Sequence, residues 1–252
     1  MLLTCGEGVG SAADGYAYVE GGIVRGEVDT PELALVFTGD EYADGGDLIR
    51  SMLRGHDVPA SFFFTGRFYR NPAFHALITG LKKDGHYLGA HSDQHLLYCS
   101  WEDRDRLLVT RDSFVVDLLV NYQVMENFGI KRPEAKYFMP PYEWYNETVS
   151  AWTEELGLTL VNFTPGTRSN ADYTTPDMGD RYVSSDSIFS SILSYESQDP
   201  NGLNGFILLL HVGTAPERTD KFYVRLGELV TLLRQRGYAF ARIDDLLTRQ
   251  EP

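Results

Sequence analysis

Residues 85–95 read Gly-His-Tyr-Leu-Gly-Ala-His-Ser-Asp-Gln-His, a short apolar run that leads directly into two histidines. The run over residues 86–89 has the length of a strand and predicts one. His91 and His95 stand four residues apart, and on a helical turn that spacing places both imidazoles on one face, as in other paired-histidine metal sites. This stretch therefore predicts titratable side chains gathered just after a strand.

Outward from that stretch, short apolar runs alternate with longer amphipathic segments in both directions. Strands that alternate with helices indicate βα units around a parallel sheet, and six or seven such units predict an α/β barrel. The longest predicted helix has Ser100 at its start as an N-cap, with acidic residues in its first turn. The predicted strands cover residues 33–37, 60–64, 86–89, 137–139, 158–161, 206–210 and 238–241. The predicted helices cover residues 47–54, 72–83, 103–128, 148–156, 186–196 and 221–235.

The chain divides into an N-terminal extension and a domain. Residues 1–31 are rich in glycine and show no periodicity, which predicts an irregular extension with a short hairpin around Gly21 and Gly22. Residues 32–252 are predicted to form a single domain, because barrels of this length are usually one domain. Within it, residues 162–183 are rich in turn-forming residues and predict a long loop, and long loops in compact domains are usually functional.

The formal net charge of -14 at neutral pH limits the partners that the chain can bind. Polyanions bind clustered Lys and Arg, so we expect no nucleic-acid partner. Anionic membrane surfaces are disfavoured for the same reason, and no stretch of the sequence reaches the length of a transmembrane helix. An acidic chain fits a neutral or cationic substrate.

The two cysteines, Cys5 and Cys99, give no disulfide framework. Cys5 follows Met-Leu-Leu-Thr, which is compatible with the end of a lipoprotein signal whose lipidated residue is Cys5. On that interpretation the chain is extracytoplasmic, either periplasmic or lipid-anchored at the cell surface. The alternative for Cys5 is an ordinary thiol, and for Cys99 a buried thiol is predicted.

Titratable residues follow directly after three of the predicted strands, the first, third and sixth. They are Asp40, the His91 and His95 pair, and His211. In βα barrels the active site lies at the C-terminal ends of the strands. Asp40, His91 and His95 would form a His-His-Asp set with open positions for water and substrate, the pattern of a catalytic metal site, and neutral imidazole suits Zn, Co, Ni and Fe. The alternatives are a hydrogen-bonded structural pair of histidines and, for His211, a core histidine.

The ordered set of motifs in this chain resembles the polysaccharide deacetylases, the NodB-homology domain of carbohydrate esterase family four. Residues 85–95 are similar to the Gly-His-x-x-Gly-x-His-[Ser/Thr]-x-x-His run of that family. Further resemblances lie at residues 59–66, 138–142, 209–211, 237–240 and 243–247, so that the likeness covers roughly residues 33–248. The resemblance implies a distorted (β/α)7-type barrel, NodB-like, that removes acetyl groups from N-acetylated or O-acetylated sugars. The family's usual work on cell-wall or dietary glycans also favours an extracytoplasmic location.

The chain departs from the family pattern at two positions. The first family motif is Thr-Phe-Asp-Asp, whose first Asp is the general base and whose second binds metal. Here the second is retained as Asp40, whereas the base position is Gly39. The family's Arg that tethers the base is replaced by Met139. Loss of both together indicates a rebuilt site, because a guanidinium without its carboxylate would leave an unpaired charge in the site.

The resemblance also implies roles for several residues. His211 is the predicted catalytic acid, and Asp172 is predicted to orient it, because Asp172-Tyr173 resembles the family's Asp-Trp. The backbone N–H of Tyr142 matches the family's oxyanion donor. Arg168, in the long loop, is a candidate to replace the lost Arg.

The family motifs do not identify the residue that acts as the general base. Our candidate is Glu41, although on an extended strand it would point away from its neighbour Asp40. Glu143 and Asp44 are the alternatives, and the alternative for Glu41 is a surface carboxylate.

The leading hypothesis is a hydrolase with one divalent metal, Zn with Co or Ni as alternatives, that removes N- or O-linked acetyl groups from a polysaccharide or oligosaccharide. A second hypothesis is a catalytically silent member that binds the glycan through the same groove. A third is an amidohydrolase that acts on a small amide other than a sugar. Aromatic residues near the motifs offer stacking surfaces for sugar rings; they are Trp101, Tyr142, Trp144 and Tyr145.

Overall fold

The computed structural model describes residues 10–11 and 15–248 of the chain, and the fold is a strongly curled sheet with helices packed outside it. The strands are β1 Gly10–Ser11, β2 Ala17–Val19, β3 Gly22–Arg25, β4 Glu32–Gly39, β5 Ser61–Phe64, β6 Tyr87–Ala90, β7 Tyr137–Phe138, β8 Thr159–Leu160, β9 Phe206–His211 and β10 Ala239–Ala241. The helices are α1 Gly46–His56, α2 Gly66–Arg70, α3 His75–Lys83, α4 Arg111–Glu126, α5 Glu147–Glu155, α6 Ser185–Gln198, α7 Leu226–Gln235 and α8 Ile243–Leu246.

The strand order is β1-β2-β3-β9-β4-β5-β6-β7-β8, and β10 pairs with the first half of β4. From β4 onward the paired strands run parallel, whereas β1, β2 and β3 are antiparallel. An isolated bridge joins Ile23 in β3 to Val161, directly after β8, so the sheet curls until its last strand lies beside β3. The α/β class and the distorted (β/α)7-type barrel predicted from the sequence are thereby confirmed.

The core lies against β4, whose residues Leu33 to Phe37 are fully buried. A parallel strand covered on both faces reads as a continuous apolar run, which is why this segment shows no alternation. Phe37 stacks on Phe62 of β5 with ring centroids 5.0 Å apart. Burial of each such side chain contributes about 2 kcal/mol, so this layer fixes the pairing of β4 with β5.

The register of the strand pairs places the carboxyl ends of four neighbouring strands, β9, β4, β5 and β6, side by side at one edge of the sheet. Thr38 of β4 lies opposite His211 of β9, and Phe64 of β5 lies opposite Ala90 of β6. Because the strands are parallel, the residues that follow them emerge at the same edge of the sheet. The loops that carry the predicted site residues therefore meet there.

The segment predicted as an irregular extension contains regular structure. β2 and β3 form a hairpin that turns at Glu20 and Gly21, close to the predicted hairpin. β3 also pairs with β9 through Arg25 and Phe206, so the hairpin is part of the sheet. Cys5 lies outside the described residues, and the location inferred from it stays a prediction. Cys99 is a buried free thiol, as predicted.

The predicted long helix over residues 103–128 was wrong at its start, and so was its predicted N-cap, Ser100. α4 begins at Arg111, where the Thr110 hydroxyl accepts a hydrogen bond from the Ser113 amide. The segment before it pairs back on itself, with the Leu108 amide donating to the Tyr98 carbonyl at 2.8 Å. The stronger capping box at residues 110–113 decides where the helix starts. In the described part of the chain, no helix is long and apolar enough to cross a membrane.

Candidate active site

His91 follows β6 and is nearly fully buried. Its Nδ1 lies 2.8 Å from the carbonyl oxygen of Met139, so Nδ1–H donates there and Nε2 carries the free lone pair. His95 stands beside it, with ring centroids 5.1 Å apart. Burial, and then the neighbouring His95, lowers the pKa of His91 to about 3. Burial, and then the charge of Arg67, lowers the pKa of His95 to about 4. Both imidazoles are therefore neutral at pH 7.

The loop that carries the two histidines is held by α4. The His91 amide donates to the side-chain oxygen of Asn121 at 3.0 Å. The amides of Asp93 and Gln94 donate to the two carboxylate oxygens of Asp117 at 3.2 and 2.9 Å. Sequence reasoning missed this support; its signal is an Asp and an Asn four residues apart on the buried face of a helix.

Asp40, the predicted carboxylate ligand, is already hydrogen-bonded to two side chains. The Thr65 hydroxyl donates to Oδ1 at 2.8 Å. The guanidinium of Arg67 donates through Nε to Oδ1 at 3.1 Å and through Nη2 to Oδ2 at 2.5 Å. Arg67 lies on α2, a short helix that the sequence did not predict, and its position in the site was missed.

The three predicted metal ligands are brought to the same edge, but they do not form a metal-binding set. Among residues 15–248 no group of three His, Cys, Asp or Glu side chains is arranged to hold a metal ion. The neutral imidazoles of His91 and His95 suit a metal, whereas the carboxylate of Asp40 is engaged by Arg67. The three side chains would therefore hold the predicted metal only if Asp40 were released from Arg67.

His211 ends β9 and forms a tight pair with Asp172. Its Nδ1 lies 2.6 Å from Oδ1 of Asp172, and its backbone amide donates to Oδ2 at 2.9 Å. Burial alone would lower the pKa of His211, but the Asp172 carboxylate, with help from Glu143, outweighs it and raises the pKa. The structure thus places Asp172 where it was predicted, against His211.

The long loop that carries Asp172 is fastened by Arg218, which is fully buried. Its Nη1 donates to the carbonyl oxygens of Thr174 and Val183 at 2.5 and 3.0 Å. Both carbonyls belong to the loop or its end, so Arg218 fixes the loop over His211. A buried guanidinium that bonds to carbonyls explains how a 22-residue irregular segment keeps one conformation.

Near His211, the acidic residue whose pKa is clearly shifted is Glu143. Burial raises the pKa of Glu143 to about 7, His211 opposes this shift and Asp172 adds to it. Glu143 and its neighbour Tyr142 both have left-handed backbone, with φ of 53° and 60°. Non-glycine residues are rare in that region and gather at functional sites. The half-buried carboxyl of Glu143 is near enough to His211 and Asp172 for their charges to act on its pKa.

The position of the family base is filled by apolar side chains. A Cβ atom on Gly39 would lie 2.7 Å from Cγ1 of Val212 and 2.9 Å from Cδ1 of Phe64. Met139, where the family has its Arg, is fully buried. No room is left at Gly39 for a carboxylate, which agrees with a site that has been rebuilt.

Three other predicted polar residues, Glu41, Arg168 and Asp44, are not joined to the histidines of the candidate site in the part of the chain that the structure describes. Glu41 and Arg168 are exposed, and within the described ranges neither side chain makes a hydrogen bond or ion pair to a site residue. Asp44 accepts from the Thr214 amide at 2.8 Å and pairs with Lys221 at 2.9 Å. It anchors one loop to another and is not available as a base.

Three aromatic side chains, Trp101, Tyr142 and Trp144, form an aromatic wall beside His95. Trp101 stacks on Trp144 with centroids 5.3 Å apart, and the Tyr142 ring lies 4.4 Å from that of His95. Trp101 is 41% exposed and Tyr142 is 46% exposed. Exposed aromatic faces next to the candidate site are suited to stacking on a flat ligand.

Comparison with known proteins identifies the family. The family model described as polysaccharide deacetylase matches residues 27–161, more than half of the chain. The uncharacterised protein YlxY of Bacillus subtilis is 27% identical over 228 residues, which are 89% of this chain and 60% of that protein. The peptidoglycan-N-acetylmuramic acid deacetylase PdaA of Bacillus subtilis is 26% identical over 227 residues, or 88% of this chain and 74% of that protein.

Solved structures show the same fold. The structure of Bacillus subtilis PdaA, a family 4 carbohydrate esterase, has a TM-score of 0.70 at 20% identity and covers 95% of this chain and 94% of its own. A wild-type family 4 pseudoenzyme from Bacillus anthracis has a TM-score of 0.67 at 18% identity, with 92% and 70% covered. The chain belongs to the polysaccharide deacetylase family.

Proposed function

We propose that the chain is a hydrolase that removes N- or O-linked acetyl groups from a glycan. The observation that carries the proposal is the grouping of Glu143 with the His211 and Asp172 pair at the carboxyl edge of the sheet. An acyl transfer to water needs a base for the water and an acid for the leaving group. The two groups with suitably altered pKa values lie together here.

Glu143 is the base in this account, in place of the sequence candidate Glu41. A carboxyl with a pKa of about 7 is partly ionised at neutral pH and holds a proton well enough to take one from water. The water oxygen bonds to the acetyl carbonyl carbon as its proton passes to Glu143. Glu41 stays a weaker alternative because it is exposed.

His211 is the acid. Asp172 accepts from Nδ1 and stabilises the imidazolium, which raises the pKa of His211 and favours the form that carries a proton on Nε2. When the carbonyl carbon releases the sugar oxygen or nitrogen, that atom takes the proton from Nε2. Acetate and the free sugar group leave, and solvent returns the proton from Glu143 to His211.

The backbone amide of Tyr142 is the oxyanion donor in this account. The hydrogen bonds of its turn come from the amides of Glu143 and Trp144, which donate to the carbonyls of Pro140 and Pro141. The Tyr142 amide takes no part in those bonds. An amide fixed by a strained turn beside the reacting carbon stabilises charge that develops in the transition state.

The substrate is an acetylated polysaccharide or oligosaccharide that lies along the aromatic wall. Sugar rings present flat apolar faces that stack on exposed aromatic rings. The net charge of -14 fits a neutral or cationic chain of sugars. We also propose that the chain works outside the cytoplasm, where the peptidoglycan that the relative PdaA is named for is found.

The metal predicted from the sequence, Zn with Co or Ni as alternatives, stays a prediction. His91 and His95 would supply two ligands, and Asp40 would supply the third once it is released from Arg67. A bound metal would polarise the acetyl carbonyl and lower the pKa of water. The proton transfers above are assigned to this chain's own residues.

A second candidate is a silent member that binds the glycan without hydrolysis. It is favoured by the filled base position at Gly39 and by the engagement of Asp40 with Arg67. The Bacillus anthracis relative is described as a pseudoenzyme, so the family includes such proteins. A third candidate, an amidohydrolase that acts on a small amide, differs from the first in the substrate that it hydrolyses.

The test is acetate release from a panel of O-acetylated glycans, N-acetylated glycans and small acetamides. The protein is treated with a chelator and assayed with and without added Zn, Co or Ni. Release from glycans alone supports the proposal. Glycan binding by calorimetry with no release from any substrate would favour the silent member, and release from the small amides alone would favour the amidohydrolase.

A further inference from the structure

Arg67 is held in the site by backbone as well as side-chain contacts. The amide of Gly66 donates to the Ser92 carbonyl at 3.0 Å, and the amide of Arg67 donates to the Asp93 carbonyl at 3.3 Å. A Cβ atom on Gly66 would lie only 1.8 Å from Oδ1 of Asp93, so α2 starts in direct contact with the histidine loop. The start of α2 is therefore fixed relative to His91 and His95.

Thr65 couples Asp40 to the same helix. Its hydroxyl donates to Oδ1 of Asp40 at 2.8 Å and accepts from the Phe68 amide at 3.1 Å as the N-cap of α2. The carboxylate that would bind a metal is thus linked to the helix that carries Arg67. The two groups are placed as one unit.

The guanidinium covers both oxygens of the Asp40 carboxylate. Its Nε and Nη2 bond to different oxygens at 3.1 and 2.5 Å, a two-point pairing that is stronger than a single ionic contact. The planar guanidinium matches the geometry of a carboxylate and presents both donors to it at once. The backbone bond from the Arg67 amide to the Asp93 carbonyl places this residue beside the loop that carries the histidine pair.

We propose that Arg67 is a built-in competitor for the metal, a permanent cation that occupies the carboxylate and weakens divalent-metal binding at His91 and His95. A divalent ion at this site would have to displace Arg67 from Asp40 and would then lie beside its positive charge. Arg67 is 42% exposed on its side chain, so water lessens but does not remove this cost. Competition of this kind would operate whether or not the site hydrolyses a glycan.

The experiment is isothermal titration of chelator-treated protein with zinc chloride, repeated with cobalt chloride. We expect Arg67→Gln to bind zinc at least about tenfold more tightly than the wild type, since tenfold corresponds to about 1.4 kcal/mol, the size of a charge-assisted pair. Arg67→Lys keeps the charge without the two-point pairing, and we expect an intermediate affinity. Adding His95→Ala to Arg67→Gln should abolish the gain.

The charge-matched control is Arg111→Gln, which removes an exposed arginine that pairs with Glu155 on the surface. Its zinc affinity should equal that of the wild type. Equal zinc affinities for the wild type and Arg67→Gln would overturn the proposal, because Arg67 would then move aside freely. A gain in Arg111→Gln as large as that in Arg67→Gln would also overturn it, because net charge alone would explain the effect. Circular dichroism confirms that each variant is folded.

Discussion

Gly39 and Val212 approach so closely that a Cβ atom on Gly39 would lie 2.7 Å from Cγ1 of Val212. Phe64 closes the other side at 2.9 Å. The family places its catalytic base at this position, and here apolar side chains occupy the volume that a carboxylate would need. The packing around Gly39 therefore leaves no space for a base, and a single substitution at this position would not restore one.

Gly39→Asp should destabilise the protein and fail to raise acetate release. Forcing extra atoms into packed side chains costs about 1–3 kcal/mol, and a buried carboxyl adds to that. The check is the free energy of unfolding from urea denaturation together with the rate of acetate release. Gly55→Asp is the matched control, because a Cβ atom on Gly55 meets nothing within 4 Å. A Gly39→Asp protein with wild-type stability and higher turnover would contradict this account of the site.

The pH dependence of kcat/KM should be bell-shaped. Activity rises as the pH passes through about 7, because Glu143 must lose its proton to act as a base. Activity falls at higher pH as His211 loses the proton that it donates, and Asp172, which raises the pKa of His211, moves that limb to higher pH. A flat profile between pH 5 and 9, roughly the range over which these groups titrate, would argue against both roles.

Asp172→Asn should move the alkaline limb of that profile to lower pH. The Asp172 carboxylate is what raises the pKa of His211 against the effect of burial. Without its charge, burial is left to lower that pKa, and His211 loses its proton earlier as the pH rises. The profile is measured over the same range for both proteins, with Asp186→Asn, an exposed helix residue, as control. An unmoved alkaline limb would show that Asp172 does not act through His211.

Asp117→Ala should lower stability by about 2 kcal/mol, since it leaves the buried amide of Asp93 and the part-buried amide of Gln94 without their acceptor. The measurement is urea denaturation. Glu126→Ala, an exposed carboxylate on the same helix, should have little effect. Equal losses in the two variants would mean that Asp117 does not hold the histidine loop.

Trp101→Ala should weaken glycan binding about fivefold or more, because loss of one aromatic stacking contact costs about 1 kcal/mol beyond its buried area. Titration of an acetylated oligosaccharide into the protein gives the dissociation constant. Leu108→Ala, at an exposed apolar residue outside the aromatic wall, is the control. Unchanged binding in Trp101→Ala would place the glycan elsewhere.

Sequence patterns were sufficient to predict where the strands end and which residues follow them. His91, His95 and His211 emerge where predicted, because apolar runs fix the strands and parallel pairing levels their ends. The Asp172 pairing with His211 was also anticipated from the likeness of its motif.

The contacts that could not be predicted from the sequence are made by side chains on helices and loops that lie outside the recognised motifs. Arg67 and Asp117 lie on helices, where charged residues usually face water, and only the packing of those helices turns them toward the loops. Glu143 was one alternative among several, because its environment depends on a left-handed turn and on a loop far away in the sequence. The helix predicted from residue 103 was wrong because the hydrogen bonds of residues 98–108 compete with helix formation.

The most direct test of the proposed chemistry compares Glu143→Gln with Glu41→Gln in acetate release from the best glycan of the panel. We predict that Glu143→Gln lowers kcat by about 100-fold or more, the usual contribution of a general base. Glu41→Gln should leave kcat within about twofold of the wild type, as expected for an exposed carboxylate outside the site. Wild-type turnover in Glu143→Gln, or a large loss in Glu41→Gln alone, would contradict the assignment of Glu143 as the base.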